Sequence, residues 1–363
     1  DVTRCDDVAA VRASGGTLAM REVEVSGHTG VFTEQVDLVL ERTRIIGRDS
    51  PGHGVLALGA RRTNGSSVAV SGFDRVSLAF RAPGGAPEVS LTDIWIDAKG
   101  LEPDQTEPVS GISVRSDVAS STVSLRLRRV AIRGSNVPVW LAGSAMSARD
   151  VSTREGLEAV HLLGEPASPL TSDEVRGWFH YVRDGAYIQD GDQAGNLRIQ
   201  DAFVAKECRL ACTPPASNTA KASFLALTPG SQTAHRVDLR RVHIAPSDGH
   251  GIHNMGAFEL EDGTGENALG WGVHTVSPSG DPSARANMRR FDILGARLGG
   301  RWRNQGGVED LRIRHAEGTQ GVGPSWCGLD FGRGQVERFV FESSAASSAA
   351  VIFTEGAFPA PVD

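Results

Sequence analysis

One six-residue frame recurs along the chain: an aliphatic residue, two mostly polar ones, a small or β-branched one, an outward one, then another β-branched one. It reads Leu40-Glu-Arg-Thr-Arg-Ile45, Leu91-Thr-Asp-Ile-Trp-Ile96, Leu127-Arg-Arg-Val-Ala-Ile132, Ile199-Gln-Asp-Ala-Phe-Val204 and Leu239-Arg-Arg-Val-His-Ile244. A looser copy is Ala148-Arg-Asp-Val-Ser-Thr153, with shorter relatives at Val308-Glu-Asp-Leu-Arg-Ile313 and Val336-Glu-Arg-Phe-Val-Phe341. Copies start 36 residues apart (Leu91 to Leu127), 21 apart (Leu127 to Ala148) and 72 apart (Leu127 to Ile199). Such periods mark repeat architectures, in which one unit cannot bury its apolar side alone and gains stability by stacking. Leucine-rich repeats have a similar period, but their Leu-x-x-Leu-x-Leu-x-x-Asn series is missing. Apolar residues here alternate with period 2 and are rich in Val and Ile, which predicts strands rather than helical repeats. Gly, Ser, Asn and Asp separate the strand-sized pieces, as expected of short parallel strands stacked in rungs.

Through these repeated segments, most of the chain resembles a right-handed parallel β-helix of the pectate lyase-like superfamily. The resemblance implies an all-β solenoid forming a single domain over 1–363, with a cap and first strand in 1–30. Asp6-Asp-Val-Ala-Ala-Val-Arg-Ala-Ser14 is expected as a short amphipathic capping helix, and Gly15 to Val25 as the first strand. Val36 to Leu40 and Thr43 to Gly47 resemble the strand, loop, strand and Gly entry common in that superfamily. A cap covers what would otherwise be an exposed core and an unpaired strand edge.

The repeat is interrupted twice, and insertions in a solenoid leave the rungs as loops, often on the binding side. The first, 164–195, holds Pro166, Pro169, a helix-start candidate at Thr171-Ser-Asp-Glu174, and Trp178-Phe-His-Tyr-Val-Arg-Asp184. The second, 255–287, holds Glu259-Leu-Glu-Asp262, Trp271 and His274. Both cluster aromatics in a chain with 2 Tyr and 6 Trp. Trp178, His180, Tyr181 and Arg183 are therefore candidate sugar-binding residues, because apolar ring faces beside polar groups hold sugars. Anchoring a long loop would use the same aromatics.

The densest polar cluster is Ser247-Asp-Gly-His-Gly-Ile-His-Asn254, just after Val242-His-Ile244. It brings Asp248, His243, His250 and His253 within twelve residues, with Gly249 and Gly251 allowing close backbone approach. Its Gly-His-Gly resembles the polygalacturonases, whose paired aspartates and Arg-Ile-Lys element this chain lacks. Ile94-Trp-Ile-Asp97 resembles part of a pectate lyase motif, with Ala98 where that motif has His, and reads as a rung strand. The frame's third position carries Arg42, Asp93, Arg129, Asp201 and Arg241. Equivalent positions on stacked rungs lie about 4.8 Å apart. These residues are expected as a ladder, either a solvated wall of mixed charge or a groove whose guanidinium groups hold carboxylated or sulfated sugars. Only Lys99, Lys206 and Lys221 are Lys, so Arg supplies nearly all the positive charge.

If the superfamily's lyase chemistry operates here, elimination needs a base, a stabiliser of enolate-like charge and an acid for the leaving oxygen. His250 or His253 is the candidate base and Arg241 or Arg183 the stabiliser. Asp248 and Asp184 are orienting or calcium-binding carboxylates, with Asp201 a further candidate ligand. Arg129 and His243 join the candidate substrate-binding set.

Composition bounds these expectations. The 363 residues carry 37 Lys+Arg against 44 Asp+Glu, a net charge of −7, opposite to the balance of a nucleic-acid binder. No run of about 18 apolar residues suits a bilayer span. No Gly-x-Gly-x-x-Gly follows a strand, which disfavours a dinucleotide enzyme. The sequence begins at Asp1 without Met, read as the trace of a removed signal peptide or tag, and export is expected. Cys208 and Cys212, four residues apart, are a candidate loop disulfide, with a metal pair or two reduced thiols as alternatives. Two functions stand open. One is an exported enzyme acting on an acidic, uronate-containing polysaccharide, a lyase before a hydrolase or epimerase, with calcium as its cofactor expectation. The other is a non-catalytic secreted or cell-surface β-helix, an adhesin, spacer or binding module. Either is expected as a monomer or a homotrimer joined through a rung face.

Overall fold

The frame explains the fold once its inward positions are counted. A straight strand keeps inward residues at even spacing, because side chains alternate between faces. In Leu40-Glu-Arg-Thr-Arg-Ile45 the buried residues are Leu40, Thr43 and Ile45, so the first gap is three residues. One residue in that gap must leave the extended conformation, and it is the third of the frame: Arg42 has φ +46°.

The computed structural model describes residues 9–48, 52–82, 88–99, 110–116, 123–135, 137–142, 144–163, 171–190, 196–206, 224–226, 236–244, 251–255, 257–266, 268, 271–276, 285–296, 298–302, 306–314, 326–331, 335–342 and 348–353. Among them every regular element is a strand. The chain divides into two units, Asp1–Tyr181 and Val182–Asp363.

The first unit contains β1 (Ala9–Arg21), β2 (Glu24–Gly27), β3 (Thr29–Glu41), β4 (Arg44–Gly47), β5 (Val55–Leu58) and β6 (Arg62–Ser71). These are followed by β7 (Val76–Ala82), β8 (Glu88–Asp97), β9 (Ser110–Ser116), β10 (Val123–Arg133), β11 (Val137–Ala142) and β12 (Ser144–Leu163). Strands pair in parallel with a later turn of the chain: β1 with β3, β6 with β8, β8 with β10, β10 with β12, and separately β5 with β7, β7 with β9, β9 with β11. Two interleaved parallel ladders of this kind are the connectivity of a coil, consistent with a parallel β-helix. One turn takes 20 residues where Ala9 meets Thr29 and 36 where Glu88 would meet Ser124 of the next turn. The pairings Leu91 with Leu127 and Leu127 with Ala148 reproduce the sequence intervals.

Inward positions stack on like positions above and below. Val68, Ile94, Val130 and Val151 form one buried column; Val70, Ile96, Ile132 and Thr153 form another. The opposite wall stacks Val55, Leu78, Ile112 and Val139. Each buried aliphatic side chain contributes about 1.5–3 kcal/mol relative to exposure, and a stack gives it neighbours on both sides.

The second unit comprises the end of β13 (Thr171–Asp190), β14 (Asn196–Lys206), β15 (Phe224–Ala226), β16 (Arg236–Ile244), β17 (Ile252–Met255), β18 (Ala257–Glu266) and β19 (Trp271–Val276). It continues with β20 (Ala286–Leu294), β21 (Leu298–Trp302), β22 (Gly307–Arg314), β23 (Trp326–Phe331), β24 (Gln335–Glu342) and β25 (Ser348–Phe353). Again two parallel ladders interleave. One runs β14, β16, β18, β20, β22, β24 and the other β13, β15, β17, β19, β21, β23, β25.

Three expectations change. Of the capping helix, residues 6–8 lie outside the described residues and 9–14 are strand. Ala9, Val11 and Ala13 alternate half-buried with exposed Ala10, Arg12 and Ser14, so the period is 2 and β3 supplies the pairing. The helix-start candidate Thr171–Glu174 opens the strand β13 instead. Its cap-like residues are outweighed by the aromatic and β-branched run Trp178 to Val182, which favours strand. Finally, 255–287 carries β18 and β19, each in parallel register with a strand on either side. Glycine hides this rung from the sequence: Gly263 and Gly265 occupy inward frame positions, in register with Phe291 and Ile293. A Cβ on Gly263 would meet Val242 O at 2.5 Å and Phe291 Cε2 at 2.8 Å. The ring on one rung fills what the glycines leave on the next.

Candidate functional site

The third frame position is left-handed on rung after rung. In the first unit Glu22, Arg42, Ser67, Asp93, Arg129 and Asp150 have φ between +46° and +57°. In the second unit Arg241, Asp262, Arg290, Asp310 and Arg338 have φ between +49° and +56°. Left-handed backbone costs an L-residue about 1–2 kcal/mol, and Arg is not among the residues that visit it readily. The backbone is held through the corner all the same. Arg42 N donates to Ser66 O at 3.0 Å, and Thr43 Oγ1 donates to Met20 O at 3.3 Å.

Because two consecutive residues point outward there, each corner presents two side chains. Signs at the third position alternate along the second unit: Arg241, Asp262, Arg290, Asp310, Arg338. Neighbouring charges therefore meet as opposites. Arg290 Nε donates to Asp262 Oδ1 at 2.5 Å, and its Nη2 to Asp262 Oδ2 at 3.2 Å and Glu261 Oε1 at 2.5 Å. Arg338 repeats the fork on Asp310, at 2.5 and 3.1 Å, and also reaches Glu309. In the first unit Arg129 grips Asp93 through two bonds at 2.5 and 2.7 Å, and Arg42 meets Glu22 at 2.5 Å. The second frame position adds Arg21 to Glu41, Arg240 to Glu261 and Arg289 to Glu309, at 3.0, 3.4 and 3.1 Å.

The guanidinium partners hold the Asp93, Asp262 and Asp310 carboxyls below the usual aspartate range, through the hydrogen bonds first and their charge second. Reciprocally, the bonds to Asp262 and Glu261 push the Arg290 guanidinium up, and those to Asp310 and Glu309 do so for Arg338. These groups are exposed or half-buried and all reach water, so each pair is modest in energy and screened by salt. Their number and alternation, rather than any one contact, characterise the corner.

Three predicted residues fall at this frame position. Arg129 is committed to Asp93. Arg241 occupies the left-handed corner of β16, exposed, and its charge helps to lower the Asp262 carboxyl. Asp201, on β14, holds the same frame position one rung before Arg241, judged by the register of Gln200 with Arg240 and Ala202 with Val242. Its side chain lies outside the described part, as do those of Trp178, His180, Tyr181, Arg183 and Asp184 on β13.

His243, two residues after Arg241 on β16, is half-buried. Its Nδ1 bonds the Thr264 hydroxyl, and Nε2 lies 4.0 Å from Glu266 Oε1. His253 is on β17 in register with Leu225 and His274, and His274 is in register with Arg301. The His274 side chain is buried, and that of His253 is outside the described part. His250 and Asp248 lie outside the described residues, as do Cys208 and Cys212. Among the described residues no three His, Cys, Asp or Glu side chains converge as a metal site. No described helix is long and apolar enough to cross a membrane.

What the sequence reasoning missed is the left-handed corner itself and the carboxylates that complete it, Glu22, Asp150, Asp262 and Asp310. The odd spacing between the first and fourth frame positions was the available signal.

No protein-family model, curated protein or solved structure matches this chain.

Proposed function

We propose that the chain is a right-handed parallel β-helix of the pectate lyase-like kind that acts as an exported, non-catalytic module at a cell surface, binding or spacing rather than transforming a substrate. The hand follows from the strong preference of parallel strand crossovers for right-handed connection. The observation carrying the function is the paired corner: Arg42, Arg129, Arg290 and Arg338 each meet a carboxylate on the preceding rung. A groove for carboxylated sugars needs guanidinium forks open to the ligand, and here the forks are filled from within. Incubation with a panel of polyuronates, with and without calcium, tests this. The absorbance of newly unsaturated sugar ends is expected to stay flat.

A second reading rests on the histidines. His243 beside Glu266, and His253 in register with His274 and one rung further Arg301, supply base and cation chemistry on neighbouring turns. On that reading the chain is a lyase of an acidic polysaccharide. His250 or His253 is the base, Arg241 or Arg183 the charge stabiliser, and Asp248, Asp184 and Asp201 orient substrate or bind calcium. Rising absorbance that is lost in His253→Ala would establish it and displace the first.

A further inference from the structure

Trp95 is 53% exposed, the largest exposed apolar side chain among the described residues. It stands between Ile94 and Ile96, which are buried at 2% and 0% and lock the strand beneath it. Its register neighbours are Ala69 on β6 and Ala131 on β10. A methyl group on either side leaves the indole unpacked along the ladder, where Arg44 and Ser152 occupy the same column one turn further out. The next outward row holds Ser71, Asp97 and Arg133 in register. The preceding corner holds the Asp93 and Arg129 pair. An apolar ring face is thus set in a row of hydroxyl, carboxylate and guanidinium groups, spread over three rungs or about 10 Å.

We infer that Trp95 is a stacking platform for the pyranose ring of an uncharged glycan. The apolar area is a single ring flanked by two methyls, and the other large exposed apolar residues described are only Val23 and Val340. A protein partner needs about 800 Å² on each side, far more than this shelf offers. A sugar presents a small C–H face to the indole, whose ring face is electron-rich, and hydroxyls at its rim to the flanking polar row. The ion pair beside the ring bonds hydroxyls without demanding a charged ligand. This inference rests on the binding-module reading and assigns that module its site.

Isothermal titration of the intact protein with neutral hexasaccharides of glucose, mannose and N-acetylglucosamine, and with a mononucleotide for comparison, tests it, beside Trp95→Ala and Ala131→Arg. The second variant leaves the indole in place and fills its flank. Both are expected to keep the wild-type melting curve. At least one hexasaccharide should bind the wild type, and binding should fall at least tenfold in each variant. Equal binding by Trp95→Ala, preferential binding of a mononucleotide, or no binding by any hexasaccharide would overturn the platform. Glycan binding that survives both substitutions moves the site elsewhere but keeps the module. Turnover of a uronate polymer sinks the module without bearing on Trp95.

Discussion

Arg129 donates from Nε and Nη2 to the two carboxylate oxygens of Asp93, across 36 residues of sequence and one step of the ladder. Both residues are left-handed, at φ +51° and +57°. The corner therefore couples an unfavourable backbone to a favourable charge contact on every turn where signs alternate.

Reversing one sign tests that coupling. Asp93→Arg places two guanidinium groups on adjacent rungs, next to Arg128, and should lower the melting midpoint by ~1–3 °C at low salt. The double variant Asp93→Arg with Arg129→Asp restores opposite signs and should recover most of the loss. Molar salt should shrink both effects. Equal midpoints for all three proteins at low salt would show that the ladder is electrostatically idle.

Acid should weaken the corner in a defined direction. The Asp93, Asp262 and Asp310 carboxyls are held down by arginine, so their folded values lie below the unfolded value of about 3.9. Their contribution is complete above the unfolded value and is lost as pH falls through the folded one. Melting midpoints should start to drop below about pH 4, and the drop should be shallower in a triple Asp→Asn variant. A triple variant with the same slope would place the acid sensitivity in other groups.

Ser67 isolates the backbone term, because it is left-handed at φ +53° and uncharged. Ser67→Gly should stabilise by about 0.5–1 kcal/mol, since glycine adopts this conformation without strain. Ser67→Val should destabilise by about 1–2 kcal/mol, since a β-branched residue tolerates it least. Urea denaturation measures both, and the opposite order would remove the strain argument.

The glycine pocket under Phe291 gives a packing test. Gly263→Ala drives a methyl against Val242 O and the ring, and should cost about 1–3 kcal/mol. Gly265→Ala meets ring atoms only at 3.5 and 3.6 Å, ordinary contact, and should be nearly neutral. Phe291→Ala empties the space and should cost about 3–5 kcal/mol. Similar costs for the two glycine variants would mean the ring moves freely between rungs.

The fold was legible wherever a rung kept aliphatic residues at the inward frame positions. Leu91, Leu127 and Ala148 line up in the structure at the intervals read from the sequence. Rungs with glycine inward were invisible: Gly65 begins a frame that pairs Leu40 below and Leu91 above, and Gly263 with Gly265 concealed another. Small residues make sense there only beside their neighbours, and a neighbour in this fold is a turn away along the chain. The charged ladder was legible as a column, because equivalent frame positions alternate in sign. Its pairing was less so, since which carboxylate an arginine meets depends on the left-handed turn that sets two side chains outward together. Histidine placement was the least legible, because Gly249 and Gly251 interrupt the alternation that elsewhere assigns a side chain to a face.

The strict alternation from Arg241 to Arg338 also limits how this part of the molecule can change length. Removing one turn, so that Asp262 would abut Asp310, sets like against like. Removing two lets Arg241 abut Asp310, and the signs match again. Duplication obeys the same parity, so the coil should gain or lose turns in even numbers, with a neutral corner such as Ser67 serving where an odd step is taken.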